Sequence, residues 1–468
     1  MRARTHARRG NPRSRQRAAG ATLLLALAMA FLGPPAASAL QKVSASRFAP
    51  SGSCDCHSEL LGAWQGSMHA QALSDPIYLA KLGEANKATD GRLGPFCEAC
   101  HGPVAAMADM TGKDGKKRNA QAREGVGCDF CHQVTGTRKP VANSSWVVKP
   151  DDAKRAALKD AVSPAHRTAY SAFHRSAEFC GTCHDVNHPE NGLALEATYT
   201  EWKESPYAER GVVCQDCHMT PGPGVTRPNA GHVASFGVER DHVRTMTFVG
   251  ANAALGPKGL AEERLRAAAE LTLAADDVVR PGSLLSVGVT LSNVGAGHYL
   301  PTGVTGLRRM WLEVVAEDAR GREVLRGTRV FGTEFADARG VRPVEMWEAA
   351  SIASDDRVPP GGFRTQDYEA PMPGAPPVTV TARLYYRGVP EELADKAGVE
   401  VPVTRMAEAS LVVYGSEEQR AASSGGRARR RERAAWTLPM VTLLGVLTML
   451  TAIGLAFSVA GRRGDDGG

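Results

Sequence analysis

The sequence predicts a mainly irregular and α-helical segment rich in cysteine and histidine, followed by an all-β sandwich and one C-terminal transmembrane helix. Three observations carry this. All ten Cys and eleven of the thirteen His fall within residues 40–255, the stretch after residue 260 has no Cys and reads in β-branched runs, and residues 436–460 carry no charge. At 468 residues the chain is long enough for two or three folded units. Its 43% hydrophobic and 23% charged residues are ordinary for a globular protein, which excludes a disordered, collagenous or polytopic membrane chain.

Residues 1–39 have the three parts of a secretory signal peptide: an Arg-rich start, an apolar run from Ala21 to Leu32, and the small residues Ala37-Ser38-Ala39. About a dozen apolar residues are too few to span a bilayer, so cleavage is expected after Ala39. Residues 416–435 are polar and read as a flexible linker. The run Trp436–Ala460 then has the length and apolar surface of a single membrane-crossing helix. Arg427, Arg429, Arg430, Arg431 and Arg433 precede it, against the positive-inside tendency, but long translocated domains weaken that rule and the export expectation stands. A sorting signal removed after export is the alternative for this tail.

The formal net charge of +6 resides in the ends. Removing fifteen basic and three acidic terminal residues (1–20 and 420–468) from the totals of 56 and 50 leaves 41 against 47. The body is acidic, and no nucleic-acid partner is expected.

Residues 40–258 form the first folded part. Helices are expected at Glu59–Ala72, Asp75–Ala88 and Ala153–Asp160, and most of the rest reads as turns. A segment this irregular needs something besides side chains as its core. Residues 261–415 form the second, with strands expected at Leu284–Leu291, Met310–Ala316, Glu323–Phe331, Val378–Tyr386 and Ala409–Tyr414 in an antiparallel sandwich.

Four cysteine pairs share one pattern: Cys97-x-x-Cys100-His101, Cys128-x-x-Cys131-His132, Cys180-x-x-Cys183-His184 and Cys214-x-x-Cys217-His218. This is the attachment sequence of c-type haem. Two thiols at this spacing each add to one vinyl group of the porphyrin, and the following His is placed under the ring to bind iron. Cys54-Asp-Cys56-His57 has one residue fewer, so Cys56 and His57 keep the second thioether and the axial ligand while the Cys54 bond is left open. Disulfides or zinc ribbons would explain the cysteines, but neither needs a His after the second Cys of all five pairs. About five covalent haem c groups are expected, and they would supply the missing core.

Further phrases surround the motifs: Trp64-x-x-Ser67-Met-His69, Gly125-Val-Gly-Cys128, Phe179-Cys180-Gly-Thr-Cys183-His184-Asp185, Tyr199-x-Glu201-Trp202-x-x-Ser205-Pro206-Tyr207 and Cys217-His218-Met219. In their order they resemble the multihaem cytochrome c-554/c-552 family, related in haem packing to hydroxylamine oxidoreductase, over about residues 50–250. The resemblance implies a periplasmic electron carrier with closely packed, mostly bis-His haems. The fifth site and the shortened first motif depart from the tetrahaem pattern. The phrase Asn293-Val-Gly-Ala-Gly-His298-Tyr-Leu-Pro301-Thr-Gly303 resembles one found in domains appended to such cytochromes.

Seven other His follow residue 39, enough to close every iron with a second imidazole and leave two over. Position in the resembling motifs favours His69, His174 and His242 as distal ligands, with His166, His188 and His232 as further candidates. His298 lies in the β-domain and would have to reach across an interface, with turn stabilisation as its alternative role. A second imidazole suits electron transfer and an open position suits substrate chemistry. Met219 is a possible ligand that would raise the potential, though Met more often serves packing. The expected function is electron relay with redox proteins on the periplasmic side of the bacterial inner membrane. The alternative is a reductase or oxidase of small nitrogen or sulfur compounds with one open haem; a structural or adhesive role for the β-domain is the third.

Overall fold

A computed structural model of the protein describes residues 40–225 and 228–423. The expected signal peptide and the Trp436–Ala460 run lie outside these residues. Among the described residues no helix is long and apolar enough to cross a membrane.

The first part is built from short helices, 3-10 turns and two-stranded ribbons. Where one helix was expected over 59–72 there are two, Ser58–Gln65 and Met68–Gln71. Ser67 is extended between them, and its hydroxyl accepts from the Ala70 amide at 3.3 Å, which starts the second helix afresh. The helix Pro76–Ala88 forms as expected, capped by Asp75 with Pro76 in the first turn. The helix expected at Ala153–Asp160 is absent. Ala153–Ala156 is instead a strand running parallel to Arg167–Tyr170. Its extended backbone points the Arg155 carbonyl at His132 Nδ1, 2.7 Å away, while Lys154 Nζ reaches the buried Asp129 at 2.5 Å. Tertiary partners outweigh the local helix preference there. Side chains supply only small cores in this part, the largest around Phe48, Met107, Phe130 and Trp146.

The helix Lys258–Ala268 leads directly into the second part. Seven of the strands that follow build the sandwich: β1 (Ala269–Ala274), β2 (Leu284–Asn293), β3 (Arg309–Glu317), β4 (Glu323–Phe331), β5 (Phe363–Pro371), β6 (Val378–Arg387) and β7 (Thr404–Val413). They form two antiparallel sheets, ordered β5-β2-β1 and β4-β3-β6-β7, and two further strands, Thr333–Ala336 and Ser351–Asp355, pair as a separate antiparallel ribbon. Alternate residues Leu285, Val287, Val289 and Leu291 share one core with Met310, Leu312, Val314 and Ala316, and with Val378, Val380, Ala382 and Leu384. Each is at most 1% exposed. This is the two-residue period of sheets packed face to face. The expected strands are present. β1 and β5 add to them; β5 is an edge strand whose polar run Arg364-Thr-Gln-Asp carries little apolar signal.

The two parts meet through the phrase Tyr199–Tyr207. Glu201 accepts from the Tyr299 amide at 3.1 Å and from the Thr302 hydroxyl at 2.7 Å, and pairs with the buried Arg357, which also holds Asp355 at 2.8 Å. Thr198 and Thr302 share a hydroxyl contact of 2.9 Å, and Tyr207 donates to the Val294 carbonyl at 3.3 Å. Asn293 shapes the docked loop from within, taking the Ala296 amide and donating to the His298 carbonyl. A second contact joins Lys81 to Glu345 at 2.8 Å and places its ammonium over Trp347.

Removing one partner of a buried ion pair costs about 3–5 kcal/mol. Because Asp355 still holds Arg357, Glu201→Ala is expected to lose about 2 kcal/mol, read as a lower guanidinium midpoint of the holoprotein. An unchanged midpoint would show that the clasp contributes nothing.

Candidate haem centres

Each attachment motif sits on a short turn that sets its thiols and imidazole. Cys97 to His101 close the helix Gly94–His101, Cys128 to His132 lie in Cys128–Gln133, and Cys214 to His218 form Cys214–His218. In a helix, residues three apart share a face, so both thiols point the same way. Cys180 lies in the last turn of the helix Ala177–Gly181, with Cys183 and His184 just beyond. The shortened motif uses a 3-10 turn, Asp55–His57, with Cys54 at its start.

Four of the five motif imidazoles are held by backbone. The Nδ1 of His57 donates to the Val233 carbonyl, His101 to Ala72, His132 to Arg155 and His218 to Val249, all at 2.7–2.8 Å. This leaves Nε2 of each ring free as the acceptor nitrogen that a metal takes. His184 differs, donating Nδ1 to the Glu196 carboxylate at 3.3 Å.

Opposite four of these rings lies a second imidazole. Ring centres are 6.3 Å apart for His57 and His166, 6.0 Å for His132 and His174, 6.2 Å for His184 and His69, and 6.3 Å for His218 and His298. An iron between two imidazoles requires roughly 6 Å, from about 2 Å of metal–nitrogen bond and about 1 Å to the ring centre on each side. His101 has no second imidazole in this relation among the described residues. Tyr78 stacks flat on it at 3.8 Å.

His174 spends its Nε2 on the Cys131 carbonyl at 3.0 Å, and its Nδ1 is buried without a hydrogen-bond partner. His242 is not opposite any motif imidazole, although both its nitrogens are buried and unpartnered. His188 is buried with Nε2 near the Trp347 carbonyl, and His232 is exposed with Nδ1 on the Gly237 carbonyl. Of the seven candidate distal residues, then, the fold brings His69, His166, His174 and His298 to the motif rings, and does not so place His188, His232 and His242. Met219 lines the common cavity.

All ten Cys, the five motif His and the four opposed His line one continuous cavity of about 1620 Å³. A single small-molecule pocket is about 300–1,000 Å³. The residues therefore fit the expected group in number, spacing and apolar setting. Enclosure pushes His69 down to about 3 and His174 and His218 to about 4, which keeps these rings neutral, the form that ligates metal. Burial pushes the Cys131 thiol up to about 12 and Cys97 to about 11. Burial also opposes charge on His184, but the Glu196 carboxylate outweighs it and holds that ring at about 8.

The phrases around the motifs have structural work. Trp64 donates Nε1 to the Val126 carbonyl at 2.9 Å, and the His69 carbonyl accepts from the Val126 amide at 2.8 Å. A Cβ on Gly125 would stand 2.3 Å from that same carbonyl, and one on Gly181 would stand 2.5 Å from the Tyr199 ring. Both positions require the close approach only Gly permits. The motifs also neighbour one another: Cys54 lies beside Cys128, Cys183 beside Cys100, and Cys180 beside Cys214. Two residues had no sequence signal for a role here. Tyr78 is one aromatic in an ordinary helix, and Glu196 is a single acid twelve residues after its His.

The family model for cytochrome c554 and c-prime matches residues 53–133, the span of the first three motifs. No curated protein matches the chain. Among solved structures, a penta-haem cytochrome c552 from Thermochromatium tepidum superposes with a TM-score of 0.57 at 22% identity, covering 78% of this chain and 99% of that one. The share exceeds the first folded part, so the common fold extends into the β-sandwich. The CARDB domain of a Pyrococcus furiosus protein matches 31% of this chain and 85% of its own at 13% identity, with a TM-score of 0.18. Attachment motifs, a shared cavity, the family match over residues 53–133 and the common fold agree: the chain is similar to multihaem c-type cytochromes of the cytochrome c-554 type and carries a β-sandwich after the motif-bearing part.

Proposed function

We propose that the protein is an exported electron-transfer cytochrome with five covalent haems, four closed by two imidazoles and one held by His101 alone. The supporting observation is the set of four imidazole pairs at 6.0–6.3 Å around one cavity. In this reading the ten motif Cys form the thioethers, His57, His101, His132, His184 and His218 are proximal, and His166, His174, His69 and His298 are distal. Haem supplies a one-electron iron couple, and closure by two imidazoles suits it to relay rather than to substrate binding. The protein would exchange electrons with redox partners on the periplasmic side of the inner membrane, tethered by Trp436–Ala460. The His101 ring, stacked on Tyr78 and facing no second imidazole among the described residues, favours a second reading as a reductase or oxidase of small nitrogen or sulfur compounds.

Intact mass and a pyridine haemochrome assay are expected to give five haems, and the reduced protein to bind carbon monoxide at one site. Five closed haems would remove the open centre; turnover of nitrite or hydroxylamine with a redox dye would favour the enzyme.

His298→Ala is expected to convert one further haem to high spin and raise carbon monoxide binding to two sites, with five haems retained. His242→Ala is expected to leave the spin states unchanged. Electron paramagnetic resonance of the oxidised proteins separates these outcomes.

Full-length protein is expected in the inner-membrane fraction, and truncation after Ser423 to release a soluble red protein. A truncated form that stays bound after a high-salt wash would show that the tail is not the anchor.

A further inference from the structure

The five motif imidazoles are not equivalent. Four donate Nδ1 to a backbone carbonyl, which is neutral; His184 donates to the carboxylate of Glu196. Glu196 reaches it because the strand Ala194–Glu196 folds back on Val186–Asn187, pairing Glu196 with Val186 just after the motif. Its side chain is only 14% exposed. Thr198, whose hydroxyl lies 3.5 Å from the same carboxylate oxygen, is fixed in turn by Thr302 of the β-domain.

His184 is also the most connected of the motif positions. Cys183 lies beside Cys100 and Cys180 beside Cys214, while Cys131 packs in the same cluster as Cys183. Cys54 in turn lies beside Cys128. The attachment sites therefore form a line from His57 through His132 to His184, where it divides toward His101 and toward His218.

We infer that Glu196 is a positioning residue that makes the His184 centre the low-potential junction of the haem network. A carboxylate on the far nitrogen raises the basicity of a ligating imidazole, and a more basic ligand with a negative neighbour favours the oxidised metal. The one-electron change leaves the Nδ1 proton within its hydrogen bond, so no atom is transferred. An electron arriving at this junction is then passed outward, to the His101 or the His218 branch, rather than held. The inference rests on the electron-transfer reading above.

The test uses the full-length holoprotein. In spectroelectrochemical titration, Glu196→Gln is expected to move one low-spin couple upward by at least tenfold in its equilibrium constant, about 59 mV for one electron, and to leave the other four in place. Glu196→Asp, which keeps the charge, is expected to return that couple toward wild type. Five unchanged couples, or an Asp variant indistinguishable from Gln, would overturn the assignment. Should the Gln variant fail to accumulate, near-infrared magnetic circular dichroism of the wild type decides. One bis-imidazole charge-transfer band at higher energy than the other three supports the role, and four coincident bands refute it. Haem count and spin state are measured on the same samples. Loss of the five-haem, four-low-spin pattern in wild type refutes the carrier reading itself, whereas unchanged potentials with that pattern intact refute only the role of Glu196.

Discussion

The distance between facing imidazoles, 6.0–6.3 Å in four separate places, is the constraint on which most of the architecture depends. Holding two rings at a fixed gap around a large shared cavity leaves no room for a conventional side-chain core. The first part accordingly consists largely of short turns, several of them anchored by a hydrogen bond from an imidazole or a capped helix start, with small apolar clusters between them. Covalent haem would contribute the buried apolar area that these clusters lack. The backbone is shaped to the same end: the strand Ala153–Ala156 aims a carbonyl at His132, and Gly125 and Gly181 allow backbone and ring to approach the motifs closely.

The β-sandwich is part of this arrangement rather than an attached bystander. Its two sheets share one buried core, and Met310, Tyr386 and Met406 at the edge of that core also line the common cavity. What it contributes is a loop. Asn293 folds residues 293–303, Glu201 and Arg357 lock that loop in place, and His298 is thereby held 6.3 Å from His218. The phrase Tyr199–Tyr207 and the phrase Asn293–Gly303 are the two halves of one interface. A polar, mostly buried clasp suits this task because its directional bonds fix orientation, which apolar packing alone does less well.

Legibility in the sequence differed between elements for identifiable reasons. Strands with two buried neighbours, such as β3 and β6, show clear apolar alternation and are read with nearly correct bounds. β5 has one polar face at a sheet edge and gives almost no signal, and the helix expected at Ala153–Asp160 loses to partners far away in the chain. Among the histidines, local motif context pointed to His69 and His174, which do face a motif ring. It pointed equally to His242, which does not, and least to His298, which does.

By itself the sequence determined the attachment motifs, because Cys, Cys and His stand within four or five consecutive residues and their relative placement is a local property. It also determined the two-part division, since loss of cysteine and onset of alternation are compositional. The tertiary structure alone decided which second imidazole faces which motif, that His101 faces none among the described residues, and that Glu196 rather than a carbonyl holds His184. Those are contacts between residues up to 115 positions apart in the case of His69 and His184, made by packing across the cavity and across the domain interface. No spacing rule encodes them, because the gap is set by a shared metal-sized distance in space and not by a count of residues along the chain.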